Sequence, residues 1–281
     1  MKTTHSIVLL AAALCLLCAG PAQAGNLFSY DFEGLTAGQT IVGQDNWVSM
    51  NNSNRKDAWV GVGTGVNTSN VFMSVDENGT TVGAKISDAR RPFDTPLTFT
   101  TDDTNVEFSF LSYNDRGEYT WDYSNNCVNM WYDGIANDLN GGMGMYYLSS
   151  SQTQPRTYFR SYTAVATYGD SLISGNWYEM KYMMDFSDGA GKITLQYRNI
   201  TAEEETFTTD SVIQGISMDL TMNGGEITFD SLHGFVQAYN NYTQHSFIDD
   251  ISITKVPEPS TLALLGCGLF GLLAYAWRKR K

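Results

Sequence analysis

The sequence predicts an antiparallel all-β sandwich of two sheets, and three observations carry that expectation. Apolar and polar residues alternate at period two through most of the 281-residue chain. Gly, Asn, Asp and Ser cut this alternation into short runs. No internal stretch carries an apolar stripe at the helical period, so helix should be scarce in the body.

Taken in order, the first candidate strands are residues 28–32, 59–62, 71–75, 82–86 and 97–101. In NVEFSFLSY, Val106, Phe108 and Phe110 face one way while Glu107 and Ser109 face the other. Residues 128–132, 143–148 and 157–163 follow. WYEMKYMMDF then sets Tyr178, Met180, Tyr182, Met184 and Phe186 on one side. KITLQYRN alternates Ile193, Leu195 and Tyr197 against Thr194, Gln196 and Arg198. Between those two runs, SDGAG (residues 187–191) reads as a hairpin turn. Residues 216–222, 227–232 and 247–254 complete the set. So many short strands without a separating linker suit one sandwich over residues 25–255.

The ends of the chain are different. Residues 1–24 combine a cationic Lys2, an apolar run at 7–18 and Ala22-Gln23-Ala24 before Gly25. This is the pattern of a secretory signal peptide cut after Ala24, with Ala22 and Ala24 as its small residues. Leu14 and Leu17 precede Cys15 and Cys18, which speaks against a lipoprotein signal. Between the ends the body holds 29 acidic and 12 basic residues, a net charge of −17. A surface of that sign repels phosphate backbones, so no nucleic-acid partner is expected. Cys127 is the body's one cysteine and has no internal partner.

At the other end, residues 261–277 carry no charge. As a helix they rise roughly 25 Å, slightly under the roughly 30 Å of bilayer hydrocarbon. Arg278, Lys279, Arg280 and Lys281 then act as a stop-transfer cluster that stays in the cytoplasm. Pro257 and Pro259 keep residues 256–260 extended on the outer side, accessible to a membrane-embedded protease. The domain division is therefore 1–24, 25–255 and 256–281.

The tail, Pro257-Glu258-Pro259-Ser260-Thr261 followed by a glycine-containing apolar helix and a basic cluster, resembles the PEP-CTERM sorting signal. That resemblance implies recognition by an exosortase, a membrane cysteine protease of Gram-negative bacteria. It also implies a membrane-anchored precursor with its body outside the cytoplasm, destined for the cell surface or extracellular matrix. Three body segments resemble the concanavalin/LamG-like jelly-roll family: Tyr30–Gly34 with Gly43–Trp47, the hairpin around Gly175–Tyr178, and the closing strand FIDDISI. This second resemblance implies a sandwich whose first and last strands pair, often with glycan-related roles.

Candidate chemistry is sparse. In the closing strand, alternation puts Asp249 on the face of Phe247, Ile251 and Ile253, and a carboxylate among apolar residues needs a partner. One expectation is a structural calcium, recruited with Glu33 where the related sandwiches seat such an ion; the other is hydrogen bonding, or a bulge that turns Asp249 outward. Tyr119, Trp121 and Tyr123 alternate in an aromatic-rich stretch and either stack on sugar rings or cover the core. The Glu-x-Asp-x-x-Glu pattern of sandwich-fold glycanases is absent, and no His/Cys spacing suits zinc. Gln244-His245 and Tyr158-Phe159-Arg160 faintly resemble segments of polysaccharide lyases, without the surrounding pattern.

The expected function is thus that of an exported, non-enzymatic protein sorted through its tail and binding exopolysaccharide or matrix glycan. Two alternatives stay open: a secreted glycan lyase or hydrolase on the same sandwich, and a permanently membrane-anchored surface protein.

Overall fold

A computed structural model of the protein describes residues 25–50, 56–73, 84–115, 125–132, 140–147, 153–239 and 245–256. Leu27–Ile253 forms one compact unit. Residues 1–26 and 254–281 fall in a second, of which only 25–26 and 254–256 are among the described residues. The predicted signal cleavage residues Ala22 and Ala24 lie outside them. So do Tyr119, Trp121 and Tyr123, the motif Pro257, Glu258 and Pro259, and the cluster Arg278 to Lys281.

Sixteen strands run in order: β1 (Gly25–Tyr30), β2 (Lys56–Asp57), β3 (Trp59–Val62), β4 (Asn70–Met73), β5 (Ala84–Thr100), β6 (Val106–Asp115), β7 (Asn125–Trp131) and β8 (Met143–Tyr146). Then come β9 (Arg156–Arg160), β10 (Ala166–Ser171), β11 (Trp177–Asp185), β12 (Lys192–Asn199), β13 (Thr208–Thr209), β14 (Ile216–Ser217), β15 (Glu226–Tyr239) and β16 (His245–Lys255). The nine-stranded sheet follows the order β13-β12-β11-β6-β16-β4-β3, with β1 beside β16 and β14 beside β12. The seven-stranded sheet follows β10-β9-β8-β7-β15-β5-β2. Apart from the short parallel β2–β5 contact, the registered pairs are antiparallel. Among the described residues no helix is long and apolar enough to cross a membrane.

Most expected strands appear, though 216–222 shrinks to Ile216–Ser217 and 157–163 ends at Arg160, and two further differences are instructive. Residues 84–86 and 97–100, read within the separate strands 82–86 and 97–101, belong to one strand, β5. Its register against β15 shifts between Phe229 and Ser231, opposite the stretch from Pro92 to Leu97. Proline lacks the N–H a regular ladder requires, and an irregularity is where a strand tolerates it. The second difference concerns Asp249. Asp250 adopts φ 47°, and this left-handed residue resets the alternation of β16. Ile248, Ile251 and Ile253 therefore join the core between the sheets, while Phe247 packs with Val71, Tyr113 and Trp177 in a separate cluster. Asp249 does not share a face with Ile251 and Ile253, as simple alternation had suggested.

The main core fills the space between the sheets, with Phe108, Phe110, Met180 and Tyr182 from one and Val128, Met130, Phe159 and Phe229 from the other. Two polar side chains tie the sheets together through it. Tyr182 donates its hydroxyl to the Tyr158 carbonyl (2.7 Å) and accepts from the Gly144 amide (2.9 Å). Asn126 donates to the carbonyls of Tyr113 (2.8 Å) and Phe247 (3.0 Å) and accepts from Ser112 Oγ (3.0 Å). Buried polar groups satisfied in this way fix strand positions as well as avoiding a desolvation cost.

Candidate functional site

Strand parity decides which side chains of the seven-stranded sheet look away from the core. In β9, Thr157 and Phe159 are buried, Phe159 in the core, so Arg156, Tyr158 and Arg160 face outward. In β7, Val128 and Met130 belong to the core, which leaves Cys127, Asn129 and Trp131 outside. In β15, Leu232 and Val236 point in while His233 and Phe235 point out. In β5, Ala89 is in the core and Arg91 lies over the Tyr30 ring, so Asp88 and Arg90 take the outer face.

Register then lines these residues up across the strands. Tyr168 pairs with Tyr158, Tyr158 with Gly144, Gly144 with Cys127, Cys127 with Phe235, and Phe235 with Asp88. One step along, Arg160 donates its backbone N–H to Gly142 (2.8 Å), Asn129 pairs with His233, and His233 pairs with Arg90. The face thus carries an aromatic row beside a row of guanidinium, amide and imidazole groups. Gly144 leaves a gap in the first row. A Cβ there would lie 1.9 Å from the Asn126 carbonyl, so no other residue fits.

Three tyrosines form a continuous ring surface at one end of the face. Tyr146 and Tyr158 stack at 5.1 Å, and Tyr168 tilts against both at 5.4 Å. Tyr146 and Tyr168 are half-buried, and Tyr158 between them is buried. Burial holds the Tyr158 phenol far above its ordinary pKa, and the Arg160 guanidinium only partly offsets this. Burial likewise pushes the Cys127 thiol up. Burial thus favours the neutral form of both groups.

His233 is fully buried, edge-on to Trp131 at 5.7 Å between ring centroids. Its Nε2 lies 3.7 Å from Asp88 Oδ2, beyond a hydrogen bond. Neither imidazole nitrogen has a hydrogen-bond partner among the described residues, and the same holds for Nε of Arg90 and of Arg160. Sequence reasoning singled out Tyr158 and Arg160 as part of a faint lyase-like segment and gave His233 no role. Their meeting depends on the pairing of strands far apart in the chain, which no local spacing announces.

The carboxylates expected to share an ion sit on the other sheet. Asp249 Oδ2 accepts from Asn67 Nδ2 (2.8 Å) and from the Ser69 hydroxyl, and its Oδ1 accepts from the Asp250 amide (2.8 Å). Glu33 Oε1 accepts from the Asn70 amide (3.0 Å). The segment 67–70 therefore brings Glu33 and Asp249 into one neighbourhood by bonding each separately. Burial raises the pKa of Asp249 to about 6, with the bonds from Asn67 and Ser69 working the other way. Next to it, an open cleft of about 290 Å³ is lined by Ser29, Tyr30, Asp31, Asp250, Ile251 and Ser252. Burial, then the charges of Asp31, Glu33 and Glu179, push Asp250 up. Among the described residues no group of three or more His, Cys, Asp or Glu side chains is placed to hold a metal ion.

Residues 255–281 match the PEP-CTERM protein-sorting motif. No curated protein matches the chain. Among solved structures the chain is similar to peanut lectin, at 12% identity over 83% of this chain and 97% of the lectin, with a TM-score of 0.46. It is similar to the CBM2 module of the evolved Dit of Lactobacillus casei BL23 phage J-1, at 12% identity over 83% and 96% of the two chains and a TM-score of 0.47. It is also similar to the marine PL-14 alginate lyase of Aplysia kurodai, at 9% identity over 69% and 86% and a TM-score of 0.41. Likeness this distant says nothing of ligand or reaction. The chain is an all-β two-sheet sandwich that carries a PEP-CTERM sorting motif at its C-terminal end, the mark of an exported, membrane-sorted protein.

Proposed function

We propose that this is a non-enzymatic surface or matrix protein, cut by an exosortase in its tail, whose seven-stranded sheet binds exopolysaccharide or matrix glycan on its outer face. The observation that carries this reading is the ring surface of Tyr146, Tyr158 and Tyr168 on the same face as the half-buried guanidinium groups of Arg160 and Arg90. Flat apolar rings with polar edges suit the two-sided character of a sugar, and nearby donors fix its hydroxyls.

The test is binding of the full chain to bacterial exopolysaccharide, with Tyr168→Ala as the variant. We expect binding that weakens about threefold to tenfold in the variant, the usual worth of one stacked ring. Release of unsaturated sugars or new reducing ends by the wild type would replace this reading with the lyase or hydrolase. For the tail, intact mass of the mature protein is decisive: a form that ends before Arg278 fits exosortase cutting, whereas one that retains Lys281 means permanent anchoring.

A structural calcium beside Glu33 and Asp249 is a separate proposal. Such an ion would have to replace the Asn67 and Ser69 donors on Asp249 Oδ2. Its signature is a melting temperature that rises with calcium in the wild type and not in Asp249→Asn.

A further inference from the structure

Cations are scarce in this acidic chain, and the two sheets answer them differently. On the outer face of the nine-stranded sheet, Lys181 lies 3.1 Å from Glu107 and 3.9 Å from Glu179. Arg198 is bound to Glu179 through Nε (2.7 Å) and Nη2 (2.5 Å). At the hairpin of that sheet Lys192 meets Asp188 at 3.3 Å. Arg91, turned inward from β5, reaches Asp45 at 3.3 Å. By contrast, Arg90, Arg156 and Arg160 have no carboxylate within ion-pair distance among the described residues. All three are half-buried and project from the outer face of the seven-stranded sheet.

These groups also have donors to spare. Arg156 Nε is bonded to the Gly169 carbonyl (2.8 Å). Nε of Arg90 and of Arg160 is buried and without an acceptor, and so is whichever nitrogen of His233 carries the proton. A buried donor left without an acceptor costs free energy, and a partner rich in acceptor oxygens relieves that cost. With strands about 4.8 Å apart, the four strand steps from Arg160 to Arg90 span roughly 19 Å. Arg160 and Arg90 are the half-buried ends of this row, within reach of one chain of sugars, whereas Asn129 and His233 between them are buried.

We infer that the ligand of this face is a polysaccharide bearing anionic groups, carboxylate or sulfate, held by Arg160 and Arg90 through their guanidinium forks. This rests on the reading of the face as glycan-binding and adds the charge class of the glycan. Guanidinium matches planar, multi-oxygen anions with paired N–H bonds, which an ammonium group does not. The body's net charge of −17 opposes polyanions in general, so binding of one would need a local cationic strip such as this.

The experiment measures binding of the full chain to three probes: dextran, which is neutral, polygalacturonate, which carries carboxylates, and dextran sulfate. Wild type is expected to bind at least one polyanion at least tenfold more tightly than dextran, and the preferred polyanion names the group. Arg90→Gln and Arg160→Gln should each lower polyanion binding at least fivefold and lower dextran binding by a smaller factor. Lys181→Gln, on the other sheet, should change neither. Arg160→Lys keeps the charge without the fork and should fall between wild type and Arg160→Gln, which guards against a variant that merely misfolds. Equal wild-type affinity for all three probes overturns the inference while leaving the glycan-binding reading in place. Polyanion binding indifferent to both Arg→Gln variants does the same. Failure to bind any of the probes or bacterial exopolysaccharide overturns both.

Discussion

The outer faces of the two sheets are built from similar residue types and end in opposite states. On the nine-stranded sheet, polar chemistry is closed upon itself: Lys181 and Arg198 share Glu179, and both cations also lie over the Phe207 ring at 4.5 and 5.0 Å. Trp177 donates to the Thr64 carbonyl (2.7 Å) and packs with Tyr113 and Phe247. On the seven-stranded sheet, guanidinium and imidazole groups of the same kind lack such answers among the described residues. The first face satisfies its own donors within the sheet, and the open donors of the second are those assigned above to a ligand. The difference lies in partners, not in composition.

The strongest way to break this contrast is at Trp177. It is 1% exposed, and Trp177→Ala should cost about 3–5 kcal/mol of stability, read by denaturant unfolding, with glycan binding by the folded fraction unchanged. Lost binding at full foldedness would assign function to the closed face instead.

Next in size is a pH effect confined to the nine-stranded sheet. The pKa of Asp249 rises from 3.8 to about 6 on folding, so its protonated form favours the fold. That stability is complete below about pH 3.8 and is lost as pH rises through about 6, on the order of 3 kcal/mol. Unfolding midpoints measured from pH 4 to 7 should show this slope, and Asp249→Asn should flatten it. Calcium that erases the slope would place the ion at Asp249, since a cation lowers a carboxylate's pKa.

Smaller still is Tyr182→Phe, which removes the hydroxyl linking the sheets and leaves the Gly144 amide and Tyr158 carbonyl short of a partner. About 1–3 kcal/mol of stability should be lost, with glycan affinity reduced because β8 and β9 carry the tyrosine surface. The smallest effect belongs to Lys181→Gln. A half-exposed surface pair is worth under about 1 kcal/mol, and its melting temperature should scarcely move.

How much of this was legible in the sequence follows from how local each signal is. The edges of β3, β11 and β12 fall where period-two alternation put them, because each strand has one core face and one polar face. Alternation could not follow β5 past Pro92 and Pro96, or β16 past Asp250, because each interruption shifts parity without a break in the strand. The paired strand β10, ATYGDS, carries too little apolar character to stand out. The polar row was illegible for a further reason. Arg160, Asn129, His233 and Arg90 come from four strands, and only register brings them together.

The hydroxyl of Tyr182 grips two neighbouring strands from the rear, and Asn126 does comparable work between β6, β16 and its own strand. A platform clamped from behind does not rely on its front for shape. Outward positions such as Tyr146, Arg156 and Tyr168 can therefore change during evolution while the chassis stays put, letting one exported scaffold be refitted for different coats.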